Sequence, residues 1–466
     1  MQILEGIILL LGLGLLGFNM YNKAIKKSYI IILFVGVGII LVSHNLFGNV
    51  RWQHYLLYIA IVILCVMIHL KFMKGILIKA LMRRSLLIMG FILIFISGIA
   101  QLVFPVYDIP TPTGAHLIGT ESFIIEDFTR EELYSEEDND IRRIKIQVWY
   151  PAETIEGYDK ALWLEDGQPL ARGLSKDMGF PFFMLDHTAD ILSNSYSNAP
   201  ISEDEQTYPL IILSHGWRGF RNLHTDYAEA LASRGYIVVA IDHTYGSVAT
   251  VFNDEVVYVN KDALPERETT PTFLDYANQL VGTYAADITT TINYLEDINA
   301  NTASRFYDKL DVSTIGLIGH STGGGASVEV ALNDDRIDSI IGLDAWVEPI
   351  EGEEIEIGLS IPTLFLRSEM WETGPNNAIL YELIENSELR PLLYQIDGTT
   401  HYDFAMIYMY SPLTKHIGFS GELDSEYLTA MLKTMITNFF DETLINKPFE
   451  DIDSGAWEEV NEVTWE

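Results

Sequence analysis

The stretch that decides the fold is TIGLIGHSTGGG at residues 314–325, which leads from a strand-like run into a helical pattern. Residues 314–318 are apolar and rich in isoleucine, as is typical of a strand buried in a parallel sheet. Gly319 and Gly323 flank Ser321 at the spacing of a nucleophile elbow, in which a serine hydroxyl projects from a sharp turn. An ordinary glycine-rich turn shares this pattern, but the preceding strand and the following helix favour a reactive serine.

Strand-like and helical segments alternate on both sides of this turn. The strand-like runs lie at 143–150, 208–214, 236–242, 314–319, 339–343, 362–366 and 392–396, and the helical patterns lie at 223–233, 273–298 and 325–332. Alternation at this spacing predicts a mostly parallel sheet with helices on both faces. Residues 245–272 are predicted to form a long loop.

A serine hydroxyl becomes a good nucleophile only when a base removes its proton and a carboxylate orients that base. Two histidines follow the turn, and the loop after the last strand favours His401 over His416. Asp344 and Glu369 each end a strand between the serine and the histidine, and the pattern does not separate them. Asp403 lies too close in sequence to His401 to orient it easily. The order serine, acid, histidine is that of the α/β-hydrolase fold.

Two backbone amides are needed to stabilise the oxyanion that forms during ester attack. The residue after the nucleophile, Thr322, should supply one of them. The segment Ser214-His215-Gly216-Trp217 follows an earlier strand, so the amide of Trp217 is the expected second donor. For His215 a hydrogen bond that braces the loop is preferred to a catalytic role.

Aromatic side chains crowd the predicted loops, as the lining of a cleft for an acyl chain requires. Routine packing beneath loops explains them equally well. The candidates for the cleft are Phe220, Trp346, Trp371, Tyr402 and Phe404.

The outer part of the chain resembles plasma-type platelet-activating factor acetylhydrolases and their bacterial relatives. The resemblance lies in residues 112–120, Val148-Trp149-Tyr150-Pro151, Ser214-His215-Gly216, the turn around Ser321, Leu343-Asp344-Ala345-Trp346 and the His401 loop. It covers most of residues 112–440. Because that family takes its triad acid from the Leu-Asp-Ala-Trp strand end, the resemblance implies Asp344 rather than Glu369. It also implies a calcium-independent esterase for short or oxidised acyl chains of phospholipids. The glycine-rich turn, with Gly325 as its third consecutive glycine, also resembles cutinase-like and polyester-hydrolysing enzymes.

Four apolar stretches precede residue 106, at 3–18, 29–47, 55–70 and 86–104. A membrane-spanning helix needs about 17–25 apolar residues, so the second and fourth suffice alone. The first and third need flanking residues, which leaves three spans as the alternative to four. A signal peptide would also explain the first stretch, but a basic start and a small-residue cleavage site are missing.

Charge is distributed unevenly along the chain. Residues 1–106 carry nine Lys/Arg and one acid, whereas residues 107–466 carry 20 Lys/Arg and 64 Asp/Glu. Such an acidic segment excludes nucleic acid as a sensible partner. The loops after the first and third stretches hold three and five Lys/Arg, and the loop between them holds only Arg51. Basic loops stay cytoplasmic, so a multi-pass cell-membrane protein with an extracytoplasmic outer domain is predicted.

These features predict a membrane segment at 1–106, an α/β-hydrolase domain at 107–441 and an acidic surface tail at 442–466. The expected function is hydrolysis of a lipid or small ester through an acyl-enzyme, with no metal or cofactor. The single Cys65 excludes an intrachain disulfide and a Cys-based zinc site. An acyltransferase uses the same acyl-enzyme, and a non-catalytic membrane sensor or scaffold is the alternative from another class. The oligomeric state and the acyl length stay open.

Overall fold

The computed structural model describes residues 3–21, 23–48, 50–253, 255–447 and 457–465. Its first part is a bundle of four long apolar helices. These are α1 (Ile3–Met20), α2 (Lys27–Phe47), α3 (Trp52–Ile68) and α4 (Ala80–Val103). A π-helical turn at His69–Met73 prolongs α3, so that all four helices are long and apolar enough to cross a membrane. The prediction of four helices rather than three is therefore confirmed.

The ends of the bundle differ in their contacts. At one end Arg51 forms a buried ion pair with Glu5, and its Nη1 donates a hydrogen bond of 2.9 Å to the carbonyl of Phe104. At the other end Lys71 Nζ and Arg83 Nη2 donate to the carbonyls of Tyr21 and Asn19, at 2.6 and 2.9 Å. The start of α1, the start of α3 and the exit from α4 thus share one end, where Arg51 is paired with Glu5, and Lys71 and Arg83 lie at the opposite end.

The second part is built on one large sheet. Its strands are β1 (Leu117–Glu131), β2 (Ile141–Ala152), β3 (Lys160–Leu162), β4 (Leu192–Ser197), β5 (Tyr208–Ser214), β6 (Ile237–Asp242), β9 (Leu310–His320), β10 (Ile337–Leu343), β11 (Thr363–Ser368), β12 (Leu392–Ile396) and β13 (Val460–Glu462), while β7 (Ala249–Val251) and β8 (Val256–Tyr258) form a separate hairpin. Within the described residues the order in the sheet is β13-β12-β11-β10-β9-β5-β6-β2-β1-β4-β3. The six strands from β6 to β12 in this order are parallel.

Helices cover both faces of the sheet because its central strands are apolar on both sides. In β6, residues 237, 239 and 241 enter one core, and residues 238 and 240 enter the other. The helices are α5 (Gln168–Asp177), α6 (Thr225–Ala232), α7 (Phe273–Ala300), α8 (Thr322–Asn333), α9 (Gly352–Ile357), α10 (Pro375–Asn386) and α11 (Ser425–Thr443). Helices α7, α8 and α10 pack on the first core, and α6 and α11 pack on the second. The predicted α/β-hydrolase architecture is confirmed.

Several segments differ from the sequence expectation. Strand β1 was missed because acidic residues interrupt its apolar pattern, yet it pairs with β2 along almost its whole length. The segment 245–272 is not a plain loop, since it contains the β7–β8 hairpin. The acidic end is not simply a surface tail, because α11 continues to Thr443 and β13 pairs with β12. Residues 448–456 of that tail lie outside the described residues.

Candidate active site

Ser321 occupies the turn between β9 and α8. Its backbone has φ 55° and ψ −120°, a strained conformation for a residue with a side chain. A Cβ on Gly319 would overlap the carbonyl of Gly323, and a Cβ on Gly323 would overlap the carbonyl of Ser214. Both positions therefore require glycine, because the turn is packed directly against the end of β5. This is the steric reason for the pattern seen in the sequence.

His401 and Asp344 are brought together at the carboxyl edge of the sheet. His401 Nδ1 lies 2.9 Å from Asp344 Oδ2, at hydrogen-bond distance. Asp344 follows β10 and is only 3% exposed, and it also accepts hydrogen bonds from the amide and hydroxyl of Ser368 at 2.7 and 2.6 Å. Since a carboxylate can only accept, Nδ1 carries the proton and Nε2 of His401 keeps its lone pair.

The backbone of Ser321 is hydrogen-bonded to Leu343 and Trp346, on either side of Asp344, whereas no hydrogen bond joins its hydroxyl to the His401 ring within the described residues. The ring of His320, the residue before Ser321, lies 4.6 Å from the His401 ring between centroids, and its Nε2 donates to the His401 carbonyl at 3.0 Å. Burial is the main cause that lowers the pKa of His320 well below its ordinary value, followed by the electrostatic effect of the adjacent His401, so His320 is neutral. In ligand-free sites the contact from nucleophile to base is often long and tightens with substrate.

Within the described residues, no hydrogen bond or ion pair joins Glu369, Asp403 or His416 to the imidazole. Glu369 is exposed, and its carboxylate accepts a hydrogen bond of 2.6 Å from the amide of Gly398. Asp403 caps its own loop by accepting from the amides of Thr400 and Gly421, while burial raises its pKa. His416 is an exposed residue. Of the two acids that the pattern left open, only Asp344 contacts His401.

The two expected oxyanion donors border the Ser321 turn. Gly216, the neighbour of Trp217, approaches so closely that a Cβ there would lie 2.8 Å from Cβ of Ser321. Thr322 is the first residue of α8, where a backbone amide has no partner within the helix. Within the described residues neither the Trp217 nor the Thr322 amide donates a hydrogen bond. Two free N–H groups beside a strained serine are what an oxyanion hole requires.

His215 braces the loop that carries Trp217. Its Nδ1 lies 2.7 Å from the Gly216 carbonyl, and its Nε2 lies 2.8 Å from Oγ of Ser247. Because the carbonyl can only accept, Nδ1 is the donor, and Nε2 accepts from the hydroxyl. Burial, more than the adjacent His243, lowers the pKa of His215 well below its ordinary value. The held carbonyl belongs to the same planar peptide as the Trp217 amide, so the brace also directs that N–H.

The aromatic candidates for a cleft divide into two groups. Trp371 stacks on His401 with ring centroids 4.4 Å apart and planes 6° apart, and Tyr402 is 39% exposed. Trp346 is partly buried against Phe273. The assignments of Phe220 and Phe404 to the cleft are wrong, because both rings are fully buried. Phe220 packs with Trp163 in one core, and Phe404 belongs to the core beneath α6 and α11.

Two residues that shape the site were not singled out from sequence. Ser368 ends β11, and the register pairs Leu343 of β10 with Leu366 of β11, which brings Ser368 beside Asp344. The signal was present in the sequence, since carboxyl ends of adjacent parallel strands meet at one edge. His320 lies inside the elbow motif, but nothing in the pattern indicates that it supports the histidine loop.

Comparison with known proteins supplies the family. The family model of platelet-activating factor acetylhydrolase, isoform II, matches residues 102–462. Platelet-activating factor acetylhydrolase of Canis lupus familiaris is 26% identical over 322 residues, which covers 64% of this chain and 68% of that protein. The Bos taurus protein of the same name is 25% identical over 378 residues, covering 74% and 80%. A ferulic acid esterase from Streptomyces cinnamoneus has the same fold, with a TM-score of 0.62, 21% identity, and coverage of 77% of this chain and 100% of that chain.

Proposed function

Because this chain belongs to the platelet-activating factor acetylhydrolase isoform II family and is a carboxylic ester hydrolase, we propose that it works as a membrane-anchored serine esterase with Ser321 as nucleophile. The observation that carries the proposal is the 2.9 Å contact between His401 Nδ1 and Asp344 Oδ2 beside the strained turn of Ser321. A neutral imidazole that is held in this tautomer can accept a proton only at Nε2.

The first half of the reaction follows from these groups. The Ser321 hydroxyl attacks the ester carbonyl while its proton passes to Nε2 of His401. Asp344 stabilises the imidazolium that forms, and the amides of Trp217 and Thr322 donate to the oxyanion. His401 then gives the proton to the leaving alkoxide, and the acyl group stays on Ser321. Trp371 keeps the imidazole plane fixed by stacking on it.

In the second half, water takes the place of the leaving alcohol. His401 removes a proton from water, hydroxide attacks the acyl-enzyme, and the carboxylic acid is released with Ser321 regenerated. An acyltransferase would differ only in the acceptor, an alcohol instead of water. Analysis of the products with and without an added alcohol measures this partition directly.

The proposed placement is a bundle inserted in the cell membrane with the catalytic domain outside. Support comes from the uneven ends of the bundle, since Lys71 and Arg83 lie at the end opposite to the point where the chain enters the catalytic domain. Basic ends face the cytoplasm, so the catalytic domain faces outward. Cysteine labelling tests this orientation. The variants are Lys74→Cys and Glu137→Cys, each made in a chain that also carries Cys65→Ser. A membrane-impermeant maleimide should label intact cells only at position 137.

The proposed substrates are uncharged or zwitterionic esters with short or oxidised acyl chains, phospholipids included. Support comes from the relatives, which are named platelet-activating factor acetylhydrolases. The strong net negative charge of the outer domain disfavours close approach to anionic lipid. Turnover should therefore be higher on vesicles of a zwitterionic phospholipid with a short sn-2 chain than on anionic vesicles with the same chain.

Active-site labelling tests the chemistry. Full-length protein in detergent micelles should form a fluorophosphonate adduct at Ser321, located by peptide mass spectrometry, and should hydrolyse p-nitrophenyl butyrate. Ser321→Ala should abolish both. Ser313→Ala, a surface serine eight residues earlier, is the matched control and should change neither. An adduct on another residue, or full turnover by Ser321→Ala, would exclude the proposed nucleophile.

A further inference from the structure

A cavity of about 930 Å³ lies where the helical bundle meets the catalytic domain. Its walls come from residues 48, 50–52, 55 and 56 on the bundle side and from residues 168, 172, 182, 183, 186 and 190 on the domain side. None of the residues proposed for catalysis lines it. The volume is within the range of sites that hold small molecules.

The junction around this cavity is built by Trp52, the first residue of α3. Its Nε1 donates to the carbonyl of Met184 at 3.4 Å, and its ring lies 5.4 Å from the ring of Phe183 and 5.8 Å from that of Phe104. Since α3 begins and α4 ends here, the cavity lies at the end of the apolar spans. In a bilayer that is the level of the lipid headgroups, where Trp and Tyr are favoured.

Two carboxylates in the cavity wall lack full hydrogen bonding. Asp186 Oδ1 is buried and has no hydrogen-bond partner among the described residues, and Arg172 Nε lies 3.6 Å away. Asp190 has no hydrogen-bond or ion-pair partner in the part of the chain that the structure describes. Burial raises the pKa of both groups, partly offset by Arg172 at Asp186 and by Arg51 at Asp190. Carboxylates that lack hydrogen-bond partners favour the binding of a cation.

The remaining walls suit an ammonium group and a phosphate. Trp52, Tyr55, Phe182 and Phe183 line the cavity, and the faces of aromatic rings attract ammonium ions. Two guanidinium groups are also in the lining. Arg51 Nε is buried and no described residue is hydrogen-bonded to it, and the side chain of Arg172 is 44% exposed at the rim. Guanidinium is the group best shaped to bind phosphate.

A stripe of apolar side chains leads away from the cavity along α3. It begins at Tyr55, which lines the cavity, and continues through Ile59, Val62 and Val66. These positions share one helix face, and each of the four is 50–57% exposed. Acyl chains can lie along this face while the headgroup occupies the cavity. The stripe therefore favours a lipid over a free, water-soluble zwitterion.

We propose that the cavity binds one phospholipid with an ammonium-bearing headgroup, its ammonium at Asp186 and Asp190, its phosphate at the arginines and its chains along α3. The lipid is distinct from the ester substrate and joins the bundle to the catalytic domain. The inference rests on the proposed insertion of α1–α4 in a membrane, but not on the proposed role of Ser321.

The test uses full-length protein in detergent micelles and native mass spectrometry. The probe is a diether phosphatidylcholine, which an esterase cannot cleave, compared with diether phosphatidylglycerol, which has no ammonium group. One phosphatidylcholine should be retained per chain, with at least tenfold weaker retention of phosphatidylglycerol. Asp190→Asn should weaken retention of phosphatidylcholine at least tenfold, and the matched control Asp335→Asn, an exposed aspartate before β10, should retain it like the wild type.

Three results would overturn the proposal. These are equal retention of both lipids by the wild type, unchanged retention by Asp190→Asn, and displacement of the lipid by free phosphocholine at equal concentration. If Asp190→Asn does not fold, Arg172→Gln at the exposed rim serves instead, with the same tenfold loss expected. Fluorophosphonate labelling of the same samples reports on Ser321 separately, so failure of the lipid site and failure of the proposed catalytic function give different readings.

Discussion

Replacing Asp344 by asparagine should abolish most of the esterase activity by changing the protonation pattern of His401. In the structure Asp344 Oδ1 accepts from the Ser368 amide at 2.7 Å, and Oδ2 faces both the Ser368 hydroxyl and His401 Nδ1. In Asp344→Asn the amide oxygen must stay toward the Ser368 N–H, because two donors cannot face each other. The NH₂ group then faces His401 Nδ1.

An NH₂ group facing Nδ1 forces the imidazole proton onto Nε2. His401 in that tautomer cannot accept the proton of Ser321, so the base is lost although the geometry is kept. The corresponding change in serine-protease triads lowers kcat about 10⁴-fold, which corresponds to about 5.4 kcal/mol of transition-state stabilisation. We expect a loss of about that size in kcat/KM for p-nitrophenyl butyrate at neutral pH.

The matched control is Glu369→Gln, the acid that the sequence pattern could not distinguish from Asp344. The Glu369 carboxylate is exposed and accepts a hydrogen bond from the Gly398 amide, which a glutamine carbonyl can also do. A change of about 1 kcal/mol or less, or about fivefold in rate, is expected. Steady-state kinetics and thermal unfolding of both variants complete the assay. A larger loss in Glu369→Gln than in Asp344→Asn would refute the assignment of the acid.

Three further predictions follow from the same contacts. Ser368→Ala removes a 2.6 Å hydrogen bond to the buried Asp344 carboxylate, which is worth about 1.5–3 kcal/mol. In steady-state assays kcat should therefore fall roughly 10-fold to 100-fold with KM little changed. An unchanged kcat would contradict the role of Ser368 in holding Asp344. Trp371→Ala removes a stack worth about 0.5–1.5 kcal/mol and should lower kcat/KM by up to about tenfold, whereas Trp371→Phe should restore most of it. His224 is buried, neither of its ring nitrogens has a hydrogen-bond partner in the part of the chain that the structure describes, and burial lowers its pKa to about 3. The unfolded chain binds its proton at the ordinary value of 6.5, so stability is fully present above pH 6.5 and falls at about 1.4 kcal/mol per pH unit as pH drops toward 3. His224→Leu should flatten that dependence in denaturant titrations between pH 6.5 and 4; an identical slope in both proteins would contradict it.

The central strands were predictable because parallel strands buried on both faces form continuous apolar runs. Strand β5 coincides with the predicted run at 208–214, and β10 and β11 differ from theirs by two residues or fewer at each end. Strand β1 was not predictable in this way. It lies outside the parallel core and tolerates Glu126 and Asp127 within its length, so its pattern has no clear apolar period.

The candidate site shows a similar division. Chain order predicts Ser321 and His401 at one edge of the sheet, because loops after parallel strands converge there. The choice between Asp344 and Glu369 needed the three-dimensional register, since both end adjacent strands and differ only in which side chain faces the imidazole. The wrong assignments of Phe220 and Phe404 have a simple cause. An aromatic residue near a catalytic motif can point into the core as easily as into a cleft, and sequence alone does not give that direction.

The contacts between the bundle and the outer domain fix more than their relative position. Ser411 Oγ donates to the carbonyl of Val103 at 2.7 Å, His187 lies against Phe104, and Ile109 of the connecting segment is buried in the domain. The bundle is thus packed against the outer domain and is not joined to it by a flexible linker alone. If the bundle is inserted in a bilayer as proposed, these contacts would hold the catalytic domain at one height above it, so the depth at which an ester carbonyl is presented would affect its selection as well as its chemistry. Phospholipids whose shortened or oxidised chains rise toward the water would meet that height, while intact chains would stay below it.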